Sequence, residues 1–324
     1  MTDDSTDHDA TNAYQSLVET LGHDDPRWAF GTGVEDVQAE ITSPVPDGVD
    51  PADLAAYCLM LGDDALICSH RITEWVTNAP ELEEEVALAN TALDLLGQAR
   101  VLLARAGWVE SAGSAGSADS SSMAGSAGSA GRQRDEDSLA YLRTEPEFRN
   151  IALAELPDER DFARAIARLL LFSTWRLALL QRLLGSRDPV VAAVAGKGVK
   201  ELTYHRDHAA RWTLRLGDGT PESHRRMQAA LDAVWPYVEE LFRTSDVERR
   251  LADAGVAVDP EQTREEVDAV LDEVLARATL TRPTIPHAGP INGQGGRQGM
   301  HTEYLGQVLA EMQSLARQHP GATW

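Results

Sequence analysis

The sequence predicts an all-α protein, and three observations support this prediction. Apolar residues recur at intervals of three and four over several long stretches, which is the period of an amphipathic helix. Helix-capping residues precede most of these stretches. No run of four to eight residues alternates convincingly between apolar and polar side chains, as a half-buried strand would.

The first two predicted helices form an antiparallel hairpin. Asp50 is in the N-cap position and Pro51 is at the first helical position, where its missing N–H has no partner to lose. Apolar residues then recur through residues 54–75, and residues 78–80 (Asn-Ala-Pro) end the helix. The second helix is predicted over about residues 81–106. Because the turn between them is so short, the two helices must run antiparallel.

Two segments are predicted to be flexible. Residues 1–50 hold 12 acidic residues against one basic residue, Arg27, and form a largely flexible N-terminal extension. Residues 111–138 are a Ser/Gly/Ala low-complexity insertion, which has too few apolar side chains to fold against a core. The remaining residues, 51–324, are predicted to form a single domain that this insertion interrupts.

A second hairpin follows a connecting segment at residues 139–156. Its helices are predicted over about residues 160–184 and 190–216, and Asp188-Pro189 marks the start of the latter. Two hairpins joined by a long connection are typical of a ferritin-like four-helix bundle, in which the crossover runs the length of the bundle. The predicted fold is therefore a ferritin-like four-helix bundle with a long crossover and additional C-terminal helices.

Three such C-terminal helices are predicted. Thr220-Pro221 begins the fifth helix, and Asp259-Pro260, with Gln262 as the reciprocal side chain, begins the sixth. The last helix covers about residues 301–319. The glycine-rich residues 293–296 precede it without a strand leading into them, so a turn is favoured there over a phosphate-binding loop.

Composition and charge exclude several classes of function. The formal net charge of −23 would repel phosphate backbones, which argues against nucleic-acid binding. The only lysines are Lys197 and Lys200, and this acidic, lysine-poor composition favours adaptation to high salt over the alternative of a genomic bias toward arginine. Cys58 and Cys68 are expected to be two buried thiols. With neither a signal peptide nor a membrane span predicted, the expected location is the cytoplasm.

The helix over residues 190–216 carries Glu201, His205 and His208 on one face, which resembles half of a di-iron site. In such sites a Glu-x-x-His pair directs both ligands at one ion, because residues three apart share a helix face. Here the residue three after Glu201 is Tyr204. None of the nine histidines of the chain has Asp or Glu three positions before it. The spacing therefore argues against a conventional di-iron centre.

The other bundle helices supply an incomplete set of ligands. Between Asp161 and Asp188 the third helix has no carboxylate at all, and Arg176 could serve as an internal cation. The prediction is a degenerate metal site whose polar groups satisfy one another, with no metal and no catalytic residue, formed by Asp63, His70, Glu74, Asp94, Glu201, His205 and His208. Two alternatives stay open: a single ion held by residues such as Glu74, Asp94, Glu201 and His205, and ordinary surface polar residues.

Several sequence blocks together resemble one known family, over residues 52–108 and 139–324. The blocks are Leu61-Gly-Asp-Asp64, Glu85-Val-Ala-Leu-Ala-Asn-Thr-Ala-Leu-Asp-Leu-Leu-Gly-Gln-Ala-Arg100, Tyr204-His205, residues 215–231, Gly296-Arg-Gln-Gly-Met-His-Thr-Glu303, residues 309–313 and residues 320–324. The chain is similar in these blocks to the PaaC subunits of phenylacetyl-CoA ring epoxidases. The extension and the insertion depart from that pattern.

The resemblance implies a part in the aerobic breakdown of phenylacetate. In that family a sister subunit, PaaA, carries the di-iron centre and binds phenylacetyl-CoA. A reductase with FAD and a 2Fe–2S cluster delivers electrons from NADPH, and a small further subunit is also needed. The PaaC-type chain would be the structural partner of PaaA, without a cofactor of its own.

Two further points remain alternatives at this stage. Trp324, which follows a Pro-Gly breaker, could anchor a partner interface or fold back on its own bundle. The main rival function is a stand-alone ferritin-like oxidase with an unconventional mono- or di-iron site. A storage ferritin relative is the third hypothesis, and the long insertion argues against packing in a shell.

Overall fold

The structure is a computed structural model that describes residues 40–116, 134–290, 293–320 and 322. These residues contain nine α-helices and no β-strand, which confirms the all-α prediction. The helices are α1 (Pro51–Thr73), α2 (Leu82–Gly116), α3 (Glu136–Tyr141), α4 (Phe162–Leu183), α5 (Pro189–Gly217), α6 (Pro221–Val234), α7 (Asp246–Asp253), α8 (Arg264–Arg277) and α9 (Glu303–Gln318). Short 3₁₀ segments cover Glu145–Glu147, Ala152–Glu155, Trp235–Phe242, Pro260–Thr263 and Gly296–Gln298.

The first hairpin, α1 and α2, begins as predicted and differs at its ends. The Asp50 carboxylate accepts a hydrogen bond from the Ala52 N–H at 2.8 Å, which caps α1. Helix α1 ends at Thr73, before the predicted breaker at residues 78–80, and turns cover the interval. Helix α2 continues to Gly116, so residues 111–116 of the predicted insertion are helical.

The segment between the hairpins is more structured than a simple connection. Helix α3 starts at Glu136, inside the predicted insertion, and is capped by the Asp135 side chain. Two 3₁₀ turns follow, and the Phe148 and Leu153 side chains between and within them are fully buried. The part of the insertion at residues 117–133 lies outside the described residues.

The second hairpin, α4 and α5, is held to α2 by a buried ion pair. Asp188 caps α5 through the Val191 N–H at 3.0 Å and also accepts from Arg105 of α2 at 2.6 Å. Arg105 donates to the Ile41 carbonyl at 2.9 Å as well. Residues 40–50, predicted as the end of the flexible extension, therefore contact the bundle, while residues 1–39 lie outside the described residues.

The later helices cover the outside of the two hairpins. Helix α6 packs on α4 and α5, α8 also packs on these two helices, and α9 packs on α3 and α1. The predicted sixth helix begins as a 3₁₀ turn at Pro260 and becomes α8 at Arg264. Helix α7 was not predicted, although Ser245 and Glu248 form the capping box that signals its start.

The core contains the residues expected to be buried. Trp212 and Trp235 are buried, as predicted. Cys58 and Cys68 are free, buried thiols. Burial raises the pKa of both thiols, that of Cys68 to about 12, so neither is a reactive thiolate near neutral pH.

Helix α2 is unusually apolar. Over Leu82–Ala112 it is the single helix of the described residues that is long and apolar enough to cross a membrane, a feature that was not predicted from the sequence. Half of its most apolar window is buried inside the protein, and α2 packs along α1 and α5. Length and composition alone are weak evidence for a membrane span, because core helices share them.

Candidate functional site

The α2–α5 seam, the line along which α2 packs on α5, brings together four of the predicted site residues. His205 Nε2 lies 3.0 Å from Asp94 Oδ2. One turn further along α5, His208 Nε2 lies 2.7 Å from Oε2 of Glu84, a residue that was not among the predicted ones. The His205 side chain is fully buried, whereas Asp94 is partly exposed. Each histidine therefore has one carboxylate partner across the seam.

Glu201 joins the same seam through a chain of polar contacts. Gln98 Nε2 donates to Glu201 Oε2 at 2.8 Å, and Lys197 Nζ lies 3.2 Å from Glu201 Oε1. On its other side Gln98 accepts from Arg176 Nε at 3.1 Å. Arg176 also donates to the Leu61 carbonyl of α1 at 3.1 Å. The predicted internal cation thus links α4, α1 and α2.

The Arg176 guanidinium is buried without an ion-pair partner among the described residues. Burial lowers its pKa, although the more distant Asp64 carboxylate acts in the opposite direction. Within the same part of the chain its Nη1 atom has no hydrogen-bond partner, and neither have the Nδ1 atoms of His205 and His208. The polar groups of the seam are therefore only partly satisfied.

Two neighbouring features of α5 shape the seam. The Tyr204 ring occupies the position where a Glu-x-x-His motif would place its histidine, and it stacks on His208 with ring centroids 6.2 Å apart. Gly198 leaves room for the polar chain, because a Cβ atom there would lie 2.5 Å from Leu180 Cδ1 and 3.3 Å from Gln98 Nε2. A glycine at this position lets α4 and α2 approach α5 closely.

The geometry of the seam does not gather ligands around one ion. Within the described part of the chain no three His, Cys, Asp or Glu side chains lie where they could share a metal. The carboxylates instead face histidines, an amide and a lysine one pair at a time. The arrangement can hold protons and neutralise charge across the seam.

The structure places the three predicted residues of α1 away from these contacts. Asp63 is buried and accepts from both terminal nitrogens of Arg143 and from the Arg149 N–H at 2.9 Å. Glu74 pairs with Arg71 at 2.7 Å. Burial lowers the pKa of His70, and the nearby Glu74 carboxylate partly opposes that shift. Trp324 lies outside the described residues.

A second polar cluster, which we call the C-terminal clamp, was not anticipated from the sequence. It consists of Asp64, Glu155 and Glu240 with their partners Gly296, Arg297, His301 and Thr302. Both terminal nitrogens of Arg297 donate to Asp64, at 2.8 and 2.9 Å. Burial works against the charge of Arg297, yet Asp64, Glu248 and Glu240 together hold its pKa above the ordinary value.

The other carboxylates of the clamp are equally well matched. Glu155 accepts from the Thr302 N–H at 2.7 Å, and its Oε1 lies 2.6 Å from His301 Nδ1. Glu240 accepts from the backbone N–H groups of Gly296 and Ala152, at 2.9 and 2.8 Å. Residues 296–302 come from one of the sequence blocks that carry the family resemblance, so that block secures the C-terminal segment to the bundle.

Comparison with known proteins identifies the family. The family model PaaA_PaaC, described as "Phenylacetic acid catabolic protein", matches residues 42–324. The PaaC-type subunit of the 1,2-phenylacetyl-CoA epoxidase of Escherichia coli (strain K12) is 41% identical over 271 residues, which cover 84% of this chain and 99% of that protein. The chain therefore belongs to the PaaA_PaaC family of phenylacetic acid catabolic proteins.

Proposed function

We propose that the chain is the PaaC-type subunit of a phenylacetyl-CoA epoxidase that acts in phenylacetate catabolism. The match to the corresponding Escherichia coli subunit over almost its full length supports this assignment. We further propose that the chain is a non-catalytic structural subunit, which stabilises a PaaA-type catalytic subunit that carries the di-iron centre. The complex would take electrons from NADPH through a reductase with FAD and a 2Fe–2S cluster, in the cytoplasm.

The helix packing supports a ferritin-like bundle within one domain over residues 51–324. Two hairpins, α1 with α2 and α4 with α5, are joined by a long connection. Helix α2 packs on α5, and Arg176 of α4 reaches both the Leu61 carbonyl of α1 and Gln98 of α2. A four-helix bundle with one long crossover has these neighbours.

The observation that carries the structural role is the Arg176 guanidinium in the interior of the bundle. A di-iron site takes a carboxylate from each of four helices. Here α4 has no carboxylate and instead directs a buried cation at Gln98 and Leu61. A fixed positive charge at this position repels metal cations, and the amide of Gln98 is a weaker ligand than a carboxylate. The donor set therefore does not fit two irons.

A reconstitution experiment tests the assignment. The chain is purified alone and together with the catalytic subunit, and both are assayed with the reductase for NADPH oxidation that depends on phenylacetyl-CoA. We expect activity and stoichiometric iron only when the catalytic subunit is present. Glu201→Gln in this chain is expected to change kcat of the complex by less than about twofold, because Glu201 would hold no metal.

The rival function, a stand-alone oxidase, makes the opposite prediction. The chain alone would then contain close to one or two irons by mass spectrometry and would consume oxygen without a partner. Loss of that iron in the Glu201→Gln variant would assign the metal to the seam. Such a result would contradict the structural role, and failure of the chain to associate with the catalytic subunit would contradict the assignment as the PaaC-type subunit.

A further inference from the structure

The exposed face of α2 carries a continuous apolar row, which we call the α2 stripe. Its members are Leu82, Val86, Leu93 and Leu96, which are 71%, 55%, 53% and 39% exposed, with the half-buried Ala89 between them. Successive members are four, three, four and three residues apart, so they lie in line on one side of the helix. The row is about 20 Å long at 1.5 Å per residue.

This arrangement differs from the other exposed apolar side chains of the protein. Those in the remaining described residues are Leu142, Leu184, Tyr204, Ile285, Met300 and Leu315, and each comes from a different segment of the chain. Single exposed apolar residues are ordinary on a soluble protein, whereas an aligned row marks an interaction surface. The stripe also accounts for the unusual apolarity of α2, half of which the bundle itself buries.

Cationic side chains of α5 border the α2 stripe. Contacts join the two helices near both ends of the row: Arg215 lies 3.2 Å from Glu81, next to Leu82, and the Glu201 partner of Lys197 bonds to Gln98, near Leu96. Exposed side chains on this border are Lys197, Lys200, Tyr204, Arg211 and Arg215, and they include both lysines of the chain. Because Lys197, Arg211 and Arg215 have carboxylate partners within the chain, charge is locally balanced here.

We infer that the α2 stripe is the docking surface for an amphipathic helix of the catalytic subunit. This inference rests on the proposed function, which supplies the partner. An apolar row with three-four spacing fits another helix crossing at about 20°, and the row would be buried as the centre of a stable interface. The cationic border, with the exposed Lys200 ammonium, would face carboxylates flanking the apolar row of that helix.

Two other occupants fit the surface less well. A second copy of this chain has the same net charge of −23, so the two copies repel each other on approach. A membrane surface rich in anionic lipid is repelled for the same reason, and Glu83, Glu84 and Glu85 lie at the start of the stripe. A partner helix with its own apolar row avoids both costs.

The test uses the full chain together with the catalytic subunit. Leu93→Glu places a charge at the centre of the stripe, and Leu315→Glu on α9 is the matched control, since Leu315 is 51% exposed. Calorimetric titration of the catalytic subunit is expected to give a Kd at least about 30-fold weaker for Leu93→Glu. The control is expected to stay within about twofold of wild type. Both variants alter exposed positions and should keep the wild-type Tm.

Each alternative gives a separate result. Wild-type affinity for Leu93→Glu would overturn the α2 docking surface and leave the proposed function intact. Absence of binding by the wild-type chain would overturn the proposed function as well. Light scattering that shows a wild-type dimer and a Leu93→Glu monomer, with unchanged affinity for the catalytic subunit, would assign the stripe to a second copy. Co-sedimentation of the wild-type chain, but not Leu93→Glu, with phosphatidylglycerol vesicles would assign it to a membrane.

Discussion

The C-terminal clamp and the α2–α5 seam are both polar clusters of the bundle, but they differ in how well their charges are matched. In the clamp each carboxylate accepts two or more hydrogen bonds, and Arg297 is paired with Asp64 through two of its nitrogens. In the seam the buried Arg176 has only neutral acceptors among the described residues, which also leave the Nδ1 atoms of both histidines unbonded.

This difference separates a structural cluster from one that retains the position of a metal site without its ligands. A buried charge without an ion-pair partner costs stability, so a cluster that served only to hold the fold together would be matched as the clamp is. The seam lies where a ferritin-like bundle would hold its metal. Its incomplete pairing is what remains when carboxylates are lost and an arginine is introduced.

The largest effect is expected from breaking the clamp. Asp64→Ala leaves the Arg297 guanidinium buried without its bidentate partner and should lower the free energy of unfolding by about 3–5 kcal/mol. Urea denaturation followed by circular dichroism measures this loss. The double variant Asp64→Ala with Arg297→Met removes both charges and should recover most of it. A loss below about 1 kcal/mol for the single variant would contradict the role of the clamp.

Two glycines provide a matched comparison between the clusters. At Gly296 in the clamp a Cβ atom would lie 1.9 Å from the Asn150 carbonyl oxygen, which is backbone and has little freedom to move. At Gly198 in the seam the closest atom is the end of the Leu180 side chain at 2.5 Å. We expect Gly296→Ala to cost about 1–3 kcal/mol and Gly198→Ala to cost less, by the same denaturation assay. Equal losses would show that the seam is packed as rigidly as the clamp.

The capping signals were predictable from the sequence because they are local. Asp50 and Asp188 lie next to the prolines that start their helices, and the structure caps α1 and α5 with them. Ser245 and Glu248 give an equally local signal for the missed helix α7. The end of α1 was placed too late, because apolar periodicity continues to Trp75, whose indole packs and bonds to Asp158 outside the helix.

The clamp was not predictable from the sequence, because its partners are far apart along the chain. Asp64 and Arg297 are separated by 233 residues. Adjacent residues on a helix also point in different directions, so Asp63 and Asp64 reach different arginines, Arg143 and Arg297. In the seam, helix periodicity aligned His205 and His208, yet the identity of the carboxylate opposite each depends on the packing of α2 on α5.

Replacing the unmatched cation of the seam should have a smaller effect of the opposite sign. Arg176→Met removes a buried charge whose partners are an amide and a carbonyl, and it retains the length and apolar stem of the side chain. We expect the free energy of unfolding to stay the same or rise by about 1 kcal/mol. The comparison variant is Arg297→Met, which strands Asp64 and should destabilise. Destabilisation of similar size by both would remove the distinction between the clusters.

The smallest effect is expected at His70, which lies in neither cluster. Burial lowers the pKa of His70 in the folded chain, and the unfolded chain therefore takes up the proton first as the pH falls. The contribution of neutral His70 is fully present above the unfolded pKa and is lost as the pH drops through that value toward the folded one. Wild type should consequently lose more stability than His70→Gln between about pH 7.5 and pH 5, as measured by urea midpoints. His287→Gln, at an exposed position, is the control for removing a histidine, and a wild-type pH dependence in His70→Gln would contradict the prediction.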